Sequence, residues 1–126
     1  SDDPNSLATL DVAMKRTVRD AVPSDEGALT IRRIGRRPAG SIDRNNPLIG
    51  AVLRARRDSG LGAAQFNSGS TDANHATGLG IPATCVGVTT GGEAHTPREW
   101  IRTAPIKQGV PYVGRAVVNA ARLPRI

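Results

Sequence analysis

Aromatic side chains are nearly absent from this chain of 126 residues, which contains one Phe, one Trp and one Tyr. Because aromatic residues supply much of the buried area in most cores, the core here has to be built from Leu, Ile, Val and Ala. Such a core is thin per residue, so part of the apolar surface is expected to need a partner or further sequence. The length fits one domain, or a small domain with an appendage.

Cysteine and histidine are also scarce, with one Cys and two His in the whole chain. The single Cys85 excludes an internal disulfide, and its place within the apolar run PATCVGV predicts a small buried side chain rather than a catalytic thiol. A catalytic zinc site normally needs three protein ligands and an open position for water. Two histidines therefore do not predict a self-contained zinc site.

Long apolar runs are missing as well. No stretch approaches the roughly 20 apolar residues that cross a bilayer, and no secretory signal is visible. We therefore expect a cytoplasmic protein with no membrane partner. Because the chain begins at Ser1 without a methionine, it is interpreted as a processed or truncated product.

Positive charge is abundant: the net charge is +6, and only Lys15 and Lys107 of the 17 basic residues are lysines. Arginines cluster at 32–37 and at 54–57, which raises the hypothesis of nucleic-acid binding. No stacking aromatics accompany these clusters, so solvated surface arginines are the favoured interpretation and nucleic acid is not expected as a partner. A non-catalytic basic module that binds an acidic partner remains the alternative function.

Hydrophobic spacing predicts four helices, at 6–21 with Ser6 as N-cap, at 47–59, at 72–78, and at 106–121 with Pro111 in the first turn. Leu48, Ile49, Val52 and Leu53 are predicted to form the buried stripe of the second helix. Strands are predicted at 28–34, 63–67 and 83–88, with a turn at 24–27 and a break at 36–40. Alternation of this kind predicts an α/β sheet covered by helices.

Polar side chains gather between residues 69 and 101, after two of the predicted strands. Ligand sites of α/β sheets lie at the carboxyl ends of the strands, so 70–72 and 91–95 are predicted to meet there. On the residues alone, His95 is either a metal ligand or a loop histidine bonded to backbone. Asp72 is a metal ligand, a carboxylate that orients one, or a helix N-cap, and capping is the simpler explanation.

The other polar and aromatic residues of this stretch have structural interpretations. His75 is interpreted as a surface or pocket-wall histidine rather than a ligand. Glu99 and Trp100 have structural explanations, Glu99 bonding backbone or an arginine and Trp100 filling a core gap. No Gly-x-Ser-x-Gly elbow is present, which disfavours a serine hydrolase.

Three motifs of this stretch, GSTDAN, GIPA and GGxAHTxxEW, carry a family resemblance. They resemble the C-terminal segment of the dinuclear zinc exopeptidases and amidohydrolases, which include carboxypeptidase G, aminoacylases, acetylornithine deacetylase and tripeptide aminopeptidase. The resemblance covers about residues 35–118. It implies part of a three-layer sheet-and-helix catalytic domain at 40–126, preceded at 1–36 by a helix and strand that remain from a lid or dimerisation domain.

The resemblance also implies roles for individual residues. His95 would be the one zinc ligand in this segment, Thr71, Asp72, Gly91 and Gly92 would lie beside the substrate, and Glu99 would support the histidine loop. The cofactor would be two zinc ions in the full-length enzyme, with other divalent metals as alternatives. The substrate would be a peptide or an N-acyl amino acid.

The family's other functional residues have no counterpart here. A His-x-Asp pair, a bridging aspartate and a Glu-Glu pair that includes the general base are expected in missing sequence. The segment alone is therefore expected to be inactive, with no catalytic residue of its own. The expected partners are the N-terminal half of the same enzyme or a complementary chain, and a second copy bound through the lid domain.

Overall fold

Four helices and one short hairpin make up the regular secondary structure of the described residues. The structure is a computed structural model, and it describes residues 3–22 and 29–124. The turn predicted at 24–27 lies outside these residues. The elements in chain order are α1 Pro4–Ala21, α2 Pro47–Asp58, α3 Ala73–Thr77, β1 Gly91–Gly92, β2 Trp100–Ile101 and α4 Ile106–Ala121.

Helix α1 begins earlier than its spacing predicts. Asp3, not Ser6, is the N-cap: its carboxylate accepts hydrogen bonds from the main-chain N–H groups of Asn5 and Ser6 at 3.0 and 2.9 Å. Pro4 takes the first helical position, where its missing N–H and fixed φ are no disadvantage. The prediction of Ser6 was wrong because an Asp-Pro pair just upstream supplies a better start.

Helix α2 begins and ends close to where its sequence predicts. The Asn46 side chain accepts a hydrogen bond from the Leu48 N–H at 2.9 Å, and Pro47 opens the first turn. After Ser59 the chain leaves the helix at Gly60, whose φ of +67° is easily adopted by glycine.

The buried face of α2 differs from the predicted stripe. Its buried residues are Ile49, Ala51 and Ala55, whereas Leu53 is 36% exposed. The alanines have no side chain beyond Cβ, so α4 can approach closely along this face. The bulkier Leu53 is turned away from the helix contact, and its predicted burial was wrong.

Helix α4 packs against α2 and forms the main core. Ala55, Tyr112 and Ala116 make one buried cluster, with Val52, Leu61, Val86 and Val113 packed around it. The predicted bounds of α4 are confirmed. Pro111 is the exception: it lies inside the helix rather than in its first turn, where it leaves one main-chain carbonyl without its helical donor.

The three predicted strands are not found as strands in the described residues. Residues 29–34, 63–67 and 83–88 have no regular secondary structure. A strand needs hydrogen bonds from a neighbouring strand, whereas a helix satisfies its own main chain. Cys85 is exposed rather than buried, because its segment is covered by no second layer in this part of the chain.

Main-chain contacts divide the chain into two compact units. The first comprises Ser1–Ser41 and Ser68–Ile81, and the second comprises Ile42–Asn67 and Pro82–Ile126. In the first unit Pro38 packs on Gly78, and Gly40 lies so close to Thr77 that a Cβ would overlap it. The second unit contains the α2–α4 pair and the β1–β2 hairpin.

Apolar side chains remain exposed in both units. The described part of the chain buries five hydrophobic residues, Ile49, Ala51, Ala55, Tyr112 and Ala116, while Ile34 and Leu79 are 90% and 79% exposed. Helix α1 buries none of its residues. Among the described helices, none combines the length and hydrophobicity that a membrane crossing requires.

Candidate functional site

The histidine of the GGxAHT motif lies on a short β-hairpin, here called the His95 hairpin (residues 89–102). Gly91 pairs with Ile101, and Gly92 pairs with Trp100, in an antiparallel register. The ladder is extended by the Arg102 N–H, which donates to the Thr90 carbonyl at 2.8 Å. Two short strands therefore hold the ends of the histidine loop together.

Both glycines of the hairpin are required by close contacts with the opposite strand. A Cβ on Gly91 would lie 2.5 Å from the Trp100 carbonyl oxygen. A Cβ on Gly92 would lie 2.9 Å from the Trp100 ring, because the indole covers this residue. Trp100 is 46% exposed and packs on the hairpin, so the prediction that it fills a core gap was wrong.

The loop between the strands is cross-linked by its own side chains. The Thr96 hydroxyl donates to the Glu93 carbonyl at 2.8 Å and accepts from the Arg98 N–H at 3.2 Å. The Arg98 guanidinium donates to the Glu93 carboxylate at 2.7 Å. The Glu99 carboxylate accepts from the main-chain N–H of His95 at 3.3 Å. These bonds connect residues of the loop 93–99 to one another.

His95 occupies an uncommon main-chain conformation within this loop. Its φ is +65°, and that of Glu93 is +53°, both in the left-handed region. Residues other than glycine adopt this main-chain region at an energetic cost. Residues held in it are concentrated at functional sites. The His95 side chain is exposed, and its ring forms no hydrogen bond within the described residues.

The donor set around His95 does not complete a metal site. The described residues contain no group of three or more His, Cys, Asp or Glu side chains placed to hold a metal ion. The two carboxylates nearest in sequence are already used, Glu93 by Arg98 and Glu99 by the His95 N–H. The hairpin thus supplies one candidate metal ligand, the His95 imidazole. A zinc ion with three protein ligands does not fit the described residues alone.

The other predicted substrate residues belong to the first compact unit, whereas the His95 hairpin belongs to the second. Asp72 stands at the N-cap position of α3, but its side chain makes no capping hydrogen bond. Instead, the Asn74 side chain accepts from the Thr71 N–H at 2.7 Å. Arg37 reaches this turn and donates to the Ser70 hydroxyl at 3.1 Å and to Asp72 at 3.4 Å.

His75 is exposed on α3 and forms no hydrogen bond through its ring within the described part of the chain. Sequence inspection missed Arg37 as the partner of Asp72 and Arg98 as the partner of Glu93. Arg98 follows Glu93 by five residues, a spacing compatible with pairing across a short loop. Arg37 lies far from Asp72 in sequence, so no local pattern indicates that pair.

Arginines from both basic clusters are engaged inside the chain. Arg33 donates to Asp11 at 2.7 Å. Arg56 donates to the Gly62 carbonyl at 2.6 Å, and its guanidinium lies 5.9 Å from the centre of the Tyr112 ring. An arginine that stabilises its own fold is less free to bind phosphates, which disfavours a nucleic-acid function for these clusters.

Comparisons with protein-family models, with curated proteins and with solved structures find no match for this chain.

Proposed function

We propose that His95 is a zinc ligand of a metallopeptidase or amidohydrolase that hydrolyses peptide or N-acyl amino-acid amide bonds. The remaining ligands and the general base would come from polypeptide outside these 126 residues. In this proposal the chain contributes one metal-binding hairpin and is inactive alone. When bound, zinc lowers the pKa of a coordinated water and polarises the substrate carbonyl.

The observation that carries the proposal is the geometry of the His95 hairpin. An exposed imidazole projects from a left-handed main-chain position in a loop that hydrogen bonds and one ion pair hold in place. A metal ligand needs a fixed position and free ring nitrogens, and His95 has both. The alternative, a loop histidine whose ring is hydrogen bonded to backbone, has no such bond among the described residues.

Gly91 and Gly92 have a structural role that is compatible with binding substrate. Because neither residue carries a side chain, the opposite strand with Trp100 can pack directly against the main chain that precedes the His95 loop. We propose that the main chain of this hairpin contributes to substrate binding in the complete enzyme. Glu99 would then act by holding the His95 main chain.

The test replaces each of the two histidines in the intact gene product that contains this segment. His95→Ala is expected to lower bound zinc by about one ion per protomer and to reduce amide hydrolysis by more than about 100-fold, since the loss of a direct ligand should exceed the 10- to 100-fold effects of groups that only orient ligands. Zinc is measured by atomic emission and hydrolysis with an N-acyl amino acid.

His75→Ala is the matched control, because His75 is also exposed but lies on a helix outside the hairpin. It is expected to retain both metal and activity. Full zinc content and activity in His95→Ala would refute the proposal. Loss of activity without loss of metal would limit His95 to a substrate-binding role.

The alternative function, a basic module that binds an acidic partner, rests on the net charge of +6. It predicts binding to a polyanion such as heparin that weakens steeply with salt and depends on Arg32 and Arg36, which have no ion pair within the described residues. Binding unaffected by replacing both arginines with glutamine would remove this alternative.

A further inference from the structure

The position of the His95 imidazole depends on its main chain. The side chain is exposed, and its ring forms no hydrogen bond within the described residues that would fix its direction. The ring therefore leaves the hairpin along the direction that the φ of +65° at His95 gives it. A residue stays in this region only where the surrounding structure holds it there. The bonds around His95 thus decide where its imidazole lies.

His95 is the third residue of a β-turn that runs from Glu93 to Thr96. The Thr96 N–H donates to the Glu93 carbonyl at 3.2 Å, which closes the turn. Since φ is positive at His95 but not at Ala94, the turn has the pattern of type II. Glycine or asparagine usually takes the third position of such a turn. A histidine there needs further bonds to keep this conformation.

The Thr96 side chain supplies further bonds, because it closes the same turn a second time. Its hydroxyl donates to the Glu93 carbonyl at 2.8 Å, so this oxygen accepts from both the side chain and the main chain of Thr96. The same hydroxyl accepts from the Arg98 N–H at 3.2 Å. It therefore joins the main chain before His95 to the main chain after it.

Thr96 also begins the turn that follows. The Glu99 N–H donates to the Thr96 carbonyl at 3.1 Å, which closes residues 96–99. Pro97 is the second residue of this turn, where its fixed φ is favourable and its missing N–H leaves no donor unpaired. The Glu99 carboxylate then accepts from the His95 N–H at 3.3 Å. Both turns of the loop therefore depend on Thr96.

The ion pair of the same loop is a weaker restraint. The Arg98 and Glu93 side chains are 81% and 45% exposed. Ion pairs that are this exposed contribute little, because water screens the charges and two long side chains lose freedom when they pair. The Thr96 hydroxyl bonds main-chain groups directly, so we expect it to have the larger effect on His95.

We propose that Thr96 is a positioning residue that holds His95 in the left-handed conformation from which its imidazole binds zinc. This inference rests on the proposed function, because it concerns the same metal site. Thr96 does not bind the metal and acts through the main chain of its neighbour. Without the hydroxyl, the turn relaxes towards a negative φ at His95, and the ring then points in another direction.

Two substitutions separate the hydroxyl of Thr96 from its shape. Thr96→Val removes the hydroxyl and keeps the branched side chain, whereas Thr96→Ser keeps the hydroxyl. Thr90→Val is the matched control, since Thr90 is an exposed threonine of the same hairpin whose side chain makes no hydrogen bond within the described residues. Arg98→Gln removes the ion pair but keeps the main-chain N–H that donates to Thr96.

The first measurement is made by NMR on the metal-free chain. A positive φ brings the His95 N–H close to its own Hα, so the NOE between these two protons is strong. It is expected to weaken in Thr96→Val and to stay strong in Thr96→Ser, Thr90→Val and Arg98→Gln. The resonances of α4 check that each variant retains its fold.

Hydrogen exchange of the unaltered chain tests the same bond without any substitution. The Arg98 N–H donates to the Thr96 hydroxyl. Its exchange is therefore expected to be at least about tenfold slower than in an unstructured peptide. This result decides the proposal if Thr96→Val does not fold.

The second measurement is the zinc dissociation constant of the intact gene product, determined by competition with a chelator. Thr96→Val is expected to bind zinc about 10- to 100-fold more weakly, the range found for groups that orient a metal ligand. Thr96→Ser and Thr90→Val are expected to match the unaltered protein, and Arg98→Gln to lose less affinity than Thr96→Val.

Three results would overturn the role of Thr96. The first is an unchanged His95 NOE in Thr96→Val, or unprotected exchange at Arg98. The second is a loss of zinc affinity in Thr96→Ser, Thr90→Val or Arg98→Gln as large as that in Thr96→Val. The third is unaltered zinc affinity in Thr96→Val while His95→Ala loses zinc. Full zinc content in His95→Ala would instead refute the proposed function, and the metal-binding role of Thr96 with it.

Discussion

The α2–α4 pair and the irregular segments 63–67 and 83–88 belong to the same compact unit, but their main chains differ in hydrogen bonding. Each helix bonds its own carbonyls and needs its neighbour only to bury side chains such as Tyr112. The irregular segments have no such internal pairing. Helices can thus form from a piece of sequence, whereas strands require a partner to be present.

The largest expected effect on stability comes from weakening the contact between α2 and α4. Tyr112 is 3% exposed at the centre of the cluster. Tyr112→Ala is expected to lower the free energy of unfolding by about 3 kcal/mol or more, because it leaves a cavity between two helices that are lined with alanine. Urea denaturation followed by circular dichroism measures the change.

Val117→Ala is the control for this substitution, since Val117 is on the same helix but 63% exposed. Its effect is expected to stay within about 0.5 kcal/mol. Similar losses for the two variants would mean that α4 is not held by the α2 contact.

Two glycines of α4 test whether the helix also positions the irregular segment 83–88. Gly109→Ala is expected to destabilise the unit by about 1–3 kcal/mol, because the new methyl group would overlap the Val88 carbonyl. Gly114→Ala is expected to stabilise by about 0.5–1 kcal/mol, since nothing lies near its Cβ position and alanine is the better helix former. Thermal melting of both variants provides the measurement.

Equal effects of these two substitutions would contradict the close approach of Val88 to α4. If Gly109→Ala were as stabilising as Gly114→Ala, residues 83–88 would not pack against α4. The contact between Val86 and the buried cluster would then also be wrong.

The smallest effect concerns α1, which buries no residue and whose Asp3 and Asp11 carboxylates accept hydrogen bonds. The pKa of the Asp11 carboxyl is lowered by hydrogen bonds from Lys15 at 2.6 Å and from Arg33 at 2.7 Å. The pKa of Asp3 is lowered by its hydrogen bonds to the side chain and N–H of Ser6 and to the N–H of Asn5.

Because both folded-state pKa values lie below the unfolded value of 3.8, their contribution is present above that pH and is lost as the pH falls through the folded-state values. Helicity of residues 4–21 is therefore expected to decline below a pH of about 4, measured by Cα chemical shifts. Helix α4 has no acidic residue and serves as an internal reference. An unchanged pH profile in the Asp3→Asn, Asp11→Asn double variant would refute this origin.

Sequence periodicity predicted the helices well because their signals are local. The Asn46-Pro47 pair indicates the start of α2, and the apolar spacing from Ile106 to Ala121 indicates the bounds of α4. It failed at residues 83–88, where β-branched and apolar residues indicate a strand that has no neighbour in the described chain. It placed Ile49 correctly on the buried face of α2 but wrongly included Leu53, because the face that α4 covers depends on contacts between parts of the chain that are distant in sequence.

The candidate site was foreseeable only in part. The motif pointed to His95 and to the paired glycines, but not to the left-handed main chain at His95 or to the ion pair between Glu93 and Arg98. These depend on how the loop at 93–99 closes, which short-range patterns do not specify. The pairing of Arg37 with Asp72 depends on contacts between distant parts of the sequence.

The indole that covers Gly92 has a practical consequence. Trp100 is the sole tryptophan of the chain, and it is partly open to solvent beside the loop that carries His95. Its emission wavelength and quenching by iodide will respond when that loop binds a ligand or opens. The protein therefore carries a built-in optical reporter of its histidine hairpin, usable at micromolar concentration without any added label.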